Sequence, residues 1–426
     1  MTRVLIVGAS LGALRTAEAL RDQGFGASIT IVGAEPHLPY DRPPLSKTVM
    51  TGASRLEGTA LPLRRDLEVD WRLGRTAVSL DLQRRLVALA DGVELPFDGL
   101  VLATGARARI PGSWAGVCGV HVLRGLDDAR ELRAALRDRP RRVAVLGAGF
   151  IGSEIAASIR ALDVPVTLLD AATLPLEAAV GEQVAQYVAV QHRAHGVDLR
   201  TESRVAELEL RNGALVGLRL ADGTLIDADL AVVGFGVTPN TEWLEDSGLV
   251  LGDGIVCDAQ LRTRTGAGPL PGVVAVADVA RWPHPLAAGA TVRIEHWSNA
   301  MTHGALAAHT LLHDLGVETT HSPARDIVPS FWTDLYATKI LAVGLPALAT
   351  ASTVLSGSFE DGHGVVGYGR DGRLVGAVAI NDPRSLAPYR RLLAAGSAWP
   401  PEPTTGANAP ATSRSNEPRH YAEEQS

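Results

Sequence analysis

Short apolar runs alternate with alanine-rich segments of helical periodicity in the first part of the chain. Residues 2–35 follow the order strand, glycine-containing turn, helix, strand and acidic residue, and residues 142–170 repeat this order. The predicted strands are Val4–Val7, Ser28–Val32, Val143–Leu146 and Val166–Leu169. Strands that alternate with helices predict a parallel sheet covered on both faces. Two such units predict an α/β protein with two Rossmann-like nucleotide-binding domains.

The pattern changes beyond about residue 322. Short strands with turns at 360–362 and 370–372, followed by an end rich in alanine and leucine, predict a small α+β domain. From residue 397 the chain is rich in Pro, Ala, Thr and Ser. Such a composition has too few apolar residues to form a core, so we predict a disordered tail at 397–426.

Composition narrows the class of protein. The chain has 426 residues, which favours two or three domains, and its net charge of −7 gives no support for a general role in binding nucleic acid. Its two cysteines, Cys118 and Cys257, exclude a disulfide scaffold and a cysteine-rich zinc site. The most apolar later stretch, Ile340–Leu355, is interrupted by Gly344 and Pro346 and is short for a membrane span. An apolar strand begins almost at the first residue, leaving no room for a signal peptide, so we predict a cytoplasmic protein.

The first candidate nucleotide site follows the first strand. Gly8, Ser10 and Ala13 occupy the three glycine positions of a GxGxxG turn, and small residues there allow a tight turn and close approach of a pyrophosphate. The phosphates are expected at the amino end of the helix beginning near Leu11, where free N–H groups favour an anion. Glu35 ends the second strand, where a carboxylate can bind ribose hydroxyls. Taken alone, this segment also fits an ordinary βα turn with small residues.

The second candidate nucleotide site contains an intact GxGxxG turn. Gly147, Gly149 and Gly152 lie between a strand and a helix, and Asp170 ends the next strand, roughly the distance that the dinucleotide fingerprint expects. A carboxylate there accepts a hydrogen bond from a ribose 2′-hydroxyl and repels a 2′-phosphate. No arginine follows at 171–176 to bind a phosphate. The sequence therefore predicts a preference for NADH over NADPH.

With both sites located, the segments around them resemble the ferredoxin reductases of oxygenase systems, in the glutathione-reductase-like flavoprotein superfamily. The segments that carry the resemblance are EPHLPYDRPPLSK (35–47), LATGARARIP (102–111), LGAGFIGSE (146–154), GFGVTPNTE (234–242), EHWSNA (295–300) and PSFWTDLY (329–336). The resemblance extends in order from residue 2 to about residue 393, and YDRPPLSK is its most specific motif. The resemblance indicates close relatives among the NADH-dependent reductases that serve bacterial monooxygenases and Rieske dioxygenases.

The resemblance implies a particular division of the chain. It predicts an FAD-binding domain built from residues 1–110 and 241–322, with an NADH-binding domain inserted at 111–240. A C-terminal α+β domain at 323–396 is then expected to cover the flavin. Together these give two Rossmann-like domains with parallel sheets and one small additional domain.

The same resemblance implies the roles of individual residues. The implied FAD contacts are Gly8, Ser10, Ala13, Glu35, Arg42, Lys47, Thr104, Gly105, Asp278, Trp297 and Trp332, and the implied NADH contacts are Gly147, Gly149, Ile151, Gly152, Glu154, Asp170 and Gly236. Lys47 and Glu154, expected to pair beside the flavin ring, are the candidate catalytic residues. Asp278 is expected to bind the ribityl chain, with Trp297 and Trp332 near the flavin. Without the resemblance, a surface lysine, a strand-ending aspartate and two core aromatics explain these residues equally simply.

Four positions depart from the family pattern. Ser10 and Ala13 replace glycines, Ala277 precedes Asp278 where the family usually has glycine, and Leu335 stands where glutamine is commoner. Alanine at position 277 is expected to cost free energy if the backbone there has positive φ. These changes bear on FAD affinity and remove no charged group that the chemistry requires.

The activity implied by the resemblance is transfer of hydride from NADH to FAD, followed by single-electron transfer to an iron–sulfur ferredoxin, of the [2Fe-2S] type, that feeds a monooxygenase or dioxygenase. The cofactors carry the chemistry, so neither a nucleophile nor a general base is needed. Residues 43–49 lack the cysteine that disulfide reductases and NADH oxidases or peroxidases carry beside the flavin. The electron acceptor is therefore predicted to be external. An NADH oxidase or peroxidase and a non-catalytic NADH-binding flavoprotein remain alternatives.

Three further predictions concern residues outside the two nucleotide sites. Ferredoxins are usually acidic, so a basic face is expected to bind the ferredoxin. The candidate residues, which the sequence alone cannot place on one surface, are Arg72, Arg75, Arg107, Arg109, Arg293 and Arg384. His192 and His195 are three apart on a predicted helix but have no clear third ligand, so we predict a solvated helix and no metal site. Cys118 and Cys257 are predicted to be small buried hydrophobic residues. The oligomeric state is left open.

Overall fold

The computed structural model describes residues 2–138, 140–319 and 328–401. Its helices are α1 (Leu11–Asp22), α2 (Thr48–Thr51), α3 (Leu126–Arg137), α4 (Phe150–Arg160), α5 (Glu177–Ala194), α6 (Trp297–Asp314) and α7 (Leu386–Ala394). Within those described ranges, no helix has the length and apolar character needed to cross a bilayer.

The strands fall into four consecutive groups along the chain. The first group is β1 (Arg3–Val7), β2 (Ser28–Gly33), β3 (Val69–Leu73), β4 (Ala77–Asp81), β5 (Leu86–Leu89), β6 (Glu94–Pro96), β7 (Gly99–Leu102) and β8 (Ala106–Ala108). The second group is β9 (Val120–Val122), β10 (Val143–Leu146), β11 (Val166–Leu169), β12 (Asp198–Arg200), β13 (Val205–Arg211), β14 (Ala214–Leu220), β15 (Leu225–Asp227), β16 (Leu230–Val233) and β17 (Val237–Pro239). The third group is β18 (Leu251–Gly252), β19 (Gly254–Val256), β20 (Arg262–Thr265), β21 (Gly268–Ala275), β22 (Ala280–Pro283) and β23 (Thr291–Arg293). The fourth group is β24 (Ser330–Leu335), β25 (Thr338–Gly344), β26 (Ala351–Ser358), β27 (His363–Arg370) and β28 (Arg373–Ile380).

The first large sheet combines strands from the first and third groups. Its order is β20-β21-β7-β1-β2-β3, parallel from β21 to β3, with β20 antiparallel at one edge. Helices α1 and α6 pack closely beside it, since a Cβ at Gly304 of α6 would lie 2.7 Å from Arg15 of α1. Val7, Leu14 and Leu311 belong to the buried apolar core of this unit. A parallel sheet buried by helices is the Rossmann-like arrangement predicted from residues 2–35.

The second large sheet comes from the second group of strands alone. Its order is β12-β11-β10-β16-β9, and all its neighbouring strands are parallel. Strands β13, β14 and β15 form a separate antiparallel sheet. The chain passes from the first unit to the second along β8 and returns along β17, and these two strands pair antiparallel. The predicted domain boundaries near residues 110 and 240 lie next to this paired crossing.

The C-terminal unit is an antiparallel sheet of order β24-β25-β28-β27-β26, with α7 packed against β25 and β28. Its other apolar residues pack against α5 of the second unit, where Val180 and Val184 share a buried core with Ile340 and Val378. The C-terminal sheet is therefore joined to the second unit by an apolar interface, which the sequence did not indicate.

The predicted disordered tail begins too early at residue 397. Ala398 forms a β-bridge with Arg373, and the Trp399 backbone N–H donates to the Gly372 carbonyl over 3.0 Å. The Trp399 ring covers Gly369, where a Cβ would approach it to 2.2 Å. Trp399 therefore packs against β27 as part of the folded domain, and residues 402–426 lie outside the described part.

Two other local predictions are wrong. Cys118 is exposed, whereas Cys257 is buried as expected. His192 is completely buried, and its Nδ1 lies 2.8 Å from the Tyr336 hydroxyl, while His195 stacks on the Tyr336 ring with centroids 3.7 Å apart. The C-terminal domain covers α5 at His192, whereas His195 remains exposed, so the predicted solvated helix is wrong for His192. Across the described residues, no group of three or more His, Cys, Asp or Glu side chains could hold a metal ion.

Candidate functional site

The glycine turn after β1 requires glycine at its first position. Gly8 has φ of +115°, and a Cβ there would lie 2.0 Å from the Ala103 carbonyl oxygen. Ser10 precedes α1 with an extended backbone (φ −117°, ψ −165°), and its side chain makes no capping hydrogen bond to that helix. Ala13 is buried in the first turn of the helix. The amino end of α1 thus offers its unsatisfied N–H groups beside a tight turn, as an anion site requires.

Neighbouring parallel strands bring the remaining candidates of the first site together. In the sheet register, Val7 of β1 pairs with Leu102 of β7, which in turn pairs with Ala275 of β21. The residues that follow these strands therefore meet at one sheet edge, and they are Gly8 after β1, Thr104 and Gly105 after β7, and Asp278 after β21. The carboxyl edge of a parallel sheet is where ligands bind in this type of fold.

Asp278 has a charged partner that sequence reasoning missed. The Arg124 guanidinium donates to the Asp278 carboxylate over 2.5 Å and to the Ala106 carbonyl over 3.0 Å. Arg124 follows β9 of the second unit, so its side chain crosses into the first unit. No motif or spacing marks it, because only the fold brings β9 close to the end of β21.

Ala277 has a left-handed backbone, with φ of +59°. A positive φ costs free energy for a residue that carries a Cβ, as expected for alanine at this position. Its N–H donates to Nδ1 of His303 on α6 over 3.1 Å, which fixes the peptide between Val276 and Ala277. Burial lowers the pKa of His303 to about 3, so this imidazole stays neutral and can accept the bond.

Glu35 lies in a network of three polar side chains. Its carboxylate accepts from the Arg42 guanidinium over 2.6 Å and from the Tyr40 hydroxyl over 2.5 Å. Burial of Glu35 opposes ionisation, but the Arg42 charge and these hydrogen bonds outweigh it and lower the pKa of Glu35. A fixed carboxylate with remaining lone pairs is suited to accept ribose hydroxyls. Arg42 is also tied to the Arg124 carbonyl, over 2.6 Å.

The glycine turn after β10 repeats the first one with stricter packing. Gly147 has φ of +99°, and a Cβ on Gly152 would lie 1.8 Å from the Gly147 carbonyl oxygen. Asp170, at the end of β11, accepts from the Ala148 N–H within this turn and from the Ala172 N–H over 2.7 Å. The loop after β16 brings Gly236 to the same edge, with φ of +86°.

The side chains of Lys47 in the first unit and Glu154 on α4 of the second unit form an ion pair. Lys47 Nζ lies 3.0 Å from Glu154 Oε1, with 16% of the lysine and 5% of the glutamate side chain exposed. Ser46 donates to Glu154 over 2.5 Å and Thr333 donates to it over 2.7 Å. Asp334 lies 3.3 Å from Lys47 Nζ. A buried carboxylate needs such partners, since an unpaired buried charge is costly.

The side chains of two tryptophans lie beside the Lys47–Glu154 ion pair. The Trp297 and Trp332 rings meet edge to face with centroids 5.9 Å apart, and Lys47 Nζ lies 5.8 Å from the Trp332 ring centroid. The Trp297 indole N–H donates to Asp41 over 2.8 Å. Asp41 belongs to the same PYDRPPLSK segment as Lys47, so one loop positions both a cation and an aromatic ring.

Most of the arginines proposed for docking are already paired. Salt bridges join Arg72 to Asp70, Arg75 to Asp91, Arg107 to Glu242, and Arg293 to both Asp253 and Glu295. Arg109 donates to the Val237 carbonyl over 3.1 Å. Paired arginines contribute less net positive charge than the sequence alone suggested, and nothing places the six on one surface.

Two dinucleotide-binding turns on two parallel sheets, joined at a buried Lys–Glu pair, define a two-dinucleotide oxidoreductase. The chain belongs to the pyridine nucleotide-disulphide oxidoreductase family, whose model matches residues 2–304, and residues 330–410 match the reductase C-terminal family. These matches confirm the predicted fold class and the resemblance to ferredoxin reductases.

Named relatives and solved structures cover nearly the whole chain. Rhodocoxin reductase of Rhodococcus erythropolis is 34% identical over 94% of this chain and 91% of its own length. The ferredoxin–NAD(+) reductase component of the anthranilate 1,2-dioxygenase system of Burkholderia cepacia is 38% identical over 94% of this chain and 97% of its own. The fold matches the covalent putidaredoxin reductase–putidaredoxin complex with a TM-score of 0.84, at 30% identity over 93% of each chain.

Proposed function

We propose that this protein is an FAD-dependent NADH:ferredoxin reductase that supplies electrons to an oxygenase. The observation that carries the proposal is the Lys47–Glu154 ion pair of 3.0 Å, because it joins the first nucleotide-binding unit to the helix that begins at the second turn. Lys47 lies in the loop after the first βαβ unit, and Glu154 lies on α4, which begins at the second turn. A cofactor on each turn would bring its reactive ring to this pair. The activities named for the relatives support the same function.

The residues around the first turn fit FAD. Gly8 allows the tight turn that a pyrophosphate needs, because any Cβ there would strike the Ala103 carbonyl, and Glu35 offers a fixed carboxylate to an adenosine ribose. Asp278, held by Arg124, would bind the ribityl hydroxyls. The side chains of Arg42, Lys47 and the two tryptophans would line the flavin end, as the family resemblance implies. These residues come from 1–110 and 241–322 apart from Arg124 and Trp332, and we assign FAD to that domain.

The residues around the second turn fit NADH. The amino end of α4 follows Gly149 and faces the turn, where the pyrophosphate would bind. Asp170 is held by two backbone N–H groups, so its negative charge stays at the ribose position and disfavours a 2′-phosphate. Ile151 and Gly236 would complete the nicotinamide side. We assign NADH to residues 111–240 and the flavin cover to 323–396.

FAD, when bound, accepts a hydride from NADH and releases electrons one at a time. The protein's own part is positional. Lys47 supplies a cation of fixed position, since Glu154 and Asp334 hold its ammonium. Preorganised charge of this kind stabilises negative charge without reorganisation at the moment of reaction. The rings of Trp297 and Trp332 pack edge to face beside this ammonium.

An external one-electron acceptor fits the composition of the site. Residues 43–49 contain no cysteine that could relay electrons as a thiol. The acceptor would be a ferredoxin, of the [2Fe-2S] type, bound through arginines such as Arg109 and Arg384, which form no salt bridge among the described residues. A cytoplasmic location remains the prediction from the sequence.

Anaerobic titration of the purified flavoprotein with NADH, followed by NADPH, tests the proposal. We expect full bleaching of the flavin absorbance by one equivalent of NADH and much slower bleaching by NADPH. Reduction of cytochrome c should then depend on an added [2Fe-2S] ferredoxin and fall as salt rises. A protein that binds no FAD, or one that consumes NADH with O₂ as fast without ferredoxin as with it, would contradict the proposal.

A further inference from the structure

The C-terminal sheet reaches the Lys47–Glu154 pair through its edge strand, β24. Three successive residues of this strand contact the pair: Trp332 by its ring, Thr333 by a hydroxyl hydrogen bond to Glu154 of 2.7 Å, and Asp334 by a carboxylate 3.3 Å from Lys47 Nζ. The pair is therefore shared by three units of the fold, and the C-terminal unit contacts both of its members.

The alternation of a strand explains how β24 does this. Phe331, Thr333 and Leu335 are buried, with Phe331 and Leu335 in the core shared with α5, whereas Trp332 and Asp334 are partly exposed on the opposite face. Side chains two apart on a strand lie on one face. Thr333 is thus directed to Glu154 on α4, and Trp332 and Asp334 both meet Lys47. A one-residue shift of this strand would reverse these contacts.

The distribution of basic residues adds a second observation. The chain contains 40 basic residues, and only Lys47 and Lys339 are lysines. Both approach the same carboxylate, since Lys339 Nζ lies 3.9 Å from the other oxygen of Asp334 and is its cross-strand partner. Lys47 is the closer and the less exposed of the two, at 16% against 52%. Asp334 therefore acts mainly on Lys47.

We propose that Asp334 is a positioning residue that holds the Lys47 ammonium for hydride transfer and so makes the C-terminal domain part of the reaction centre. Glu154 alone fixes one side of the ammonium, and Asp334 fixes a second direction. Its negative charge also offsets part of the lysine charge beside the flavin. This inference rests on the proposed function, and it assigns to the third domain a role beyond covering the cofactor.

The rarity of lysine provides a direct test in the holoenzyme. Limited acylation with an amine-reactive acetylating reagent, read by peptide mass spectrometry, reports Lys47 and Lys339 separately. Acylation requires the amine to leave its ion pairs, so the wild-type protein should react faster at Lys339. In Asp334→Asn the ratio of Lys47 to Lys339 labelling should rise about threefold, as expected for loss of a partly exposed ion pair.

Asp371→Asn is the matched control. Asp371 is also in the C-terminal domain and pairs with Arg370 over 3.4 Å, but its side chain is 84% exposed and it does not contact Lys47. The labelling ratio should stay at the wild-type value in this variant. An unchanged ratio in Asp334→Asn, with the variant folded and FAD retained, would overturn the inference. If Asp334→Asn does not fold, Asp334→Ser gives the same test at this partly exposed edge position.

Flavin measurements separate this inference from the proposed function. In Asp334→Asn the rate of flavin reduction at saturating NADH should fall about threefold with little change in KM. The flavin midpoint potential should rise, because a nearby negative charge has been removed. If wild-type flavin is not reduced by NADH at all, the proposed function fails. If wild-type flavin is reduced and both readouts of Asp334→Asn equal wild type, only the role of Asp334 fails.

Discussion

The turn after β1 and the turn after β10 share one backbone plan and differ in how they are covered. Their first glycines both have positive φ, and their second positions, Ser10 and Gly149, both have extended backbones. At the third position the first turn accommodates Ala13, whereas in the second turn a Cβ on Gly152 would lie 1.8 Å from a carbonyl oxygen. The fingerprint is therefore a sum of separate demands, and whether a position requires glycine depends on the atoms that its own Cβ would meet.

The two turns differ more in the residues that pack over them than in their own sequences. Leu11, Ala277 and Ala300 form a buried cluster over the first turn, and a Cβ on Gly12 would lie 3.0 Å from Ala277. In the second turn the residue equivalent to Gly12 is Ile151, which is 42% exposed. A closed turn suits a resident cofactor such as FAD, and an open one suits NADH, which must enter and leave in each cycle.

Gly152→Ala should have the largest effect on this comparison. The new Cβ would overlap the Gly147 carbonyl, and such overpacking costs about 3 kcal/mol or more where backbone cannot move. We expect KM for NADH to rise at least about a hundredfold, which is the same free energy expressed as binding. Steady-state kinetics and the FAD content of the purified protein measure it.

Ala13→Gly is the reciprocal control for this variant. Glycine at the corresponding position of the first turn should cost about 1 kcal/mol of helix stability and leave KM for NADH unchanged. A Gly152→Ala variant with wild-type KM, or a similar loss in Ala13→Gly, would show that the two third positions do not differ.

Asp170→Arg should have the next largest effect. The substitution removes a carboxylate that is held by the Ala148 and Ala172 N–H groups and introduces a cation suited to a 2′-phosphate. The ratio of kcat/KM for NADH to that for NADPH should fall at least about tenfold. Asp198→Arg, on the neighbouring strand β12 but at its opposite end, is the control and should leave the ratio unchanged. An unchanged preference for NADH over NADPH in Asp170→Arg would contradict the assignment of Asp170 to the ribose.

Local motifs predict the turns well because their constraints act within a few residues. The positions of Gly8, Gly147 and Gly152 follow from a strand, a tight turn and a helix that adjoin in sequence. Thr104 and Asp278 follow β7 and β21, and their meeting at one edge follows from the parallel sheet. The Lys47–Glu154 pair was expected from the family resemblance, and spacing alone did not indicate it.

Contacts that depend on domain packing could not be predicted in this way. Arg124 and Asp334 are ordinary charged residues in sequence, and each becomes part of the site only because another unit lies beside it. The prediction that His192 is solvated was wrong for the same reason, because helical periodicity does not reveal that the C-terminal sheet covers α5. The prediction that Cys118 is buried was wrong because it rested on the usual burial of cysteine, whereas Cys118 lies in an exposed loop.

Ala277→Gly should sharpen the comparison at the covered turn. The left-handed backbone of Ala277 costs about 1–2 kcal/mol for an L-residue with a Cβ, of which glycine would return part after its larger unfolded-state entropy is counted. We expect the free energy of unfolding to rise by about 0.5–1 kcal/mol and FAD to bind about twofold more tightly.

Ala288→Gly is the matched control for that variant. Ala288 is also left-handed, with φ of +52°, but it follows a short helix at 285–287 away from the turn. It should raise stability similarly and leave FAD affinity unchanged. Chemical unfolding and FAD titration of the apoprotein measure the two quantities, and a loss of stability in Ala277→Gly would contradict the assignment of strain.

Exchange of the second positions, by Ser10→Gly and Gly149→Ser, should have the smallest effect. Both residues have extended backbones that any residue adopts, Ser10 makes no capping bond, and a Cβ on Gly149 would meet nothing within 4 Å. The free energy of unfolding of each apoprotein should therefore change by only a few tenths of a kcal/mol. If the second glycine serves only to admit the pyrophosphate, Ser10→Gly should tighten FAD binding and Gly149→Ser should weaken NADH binding, each about two- to threefold. A change of stability without a change of affinity would show that this position acts on the fold and not on the ligand.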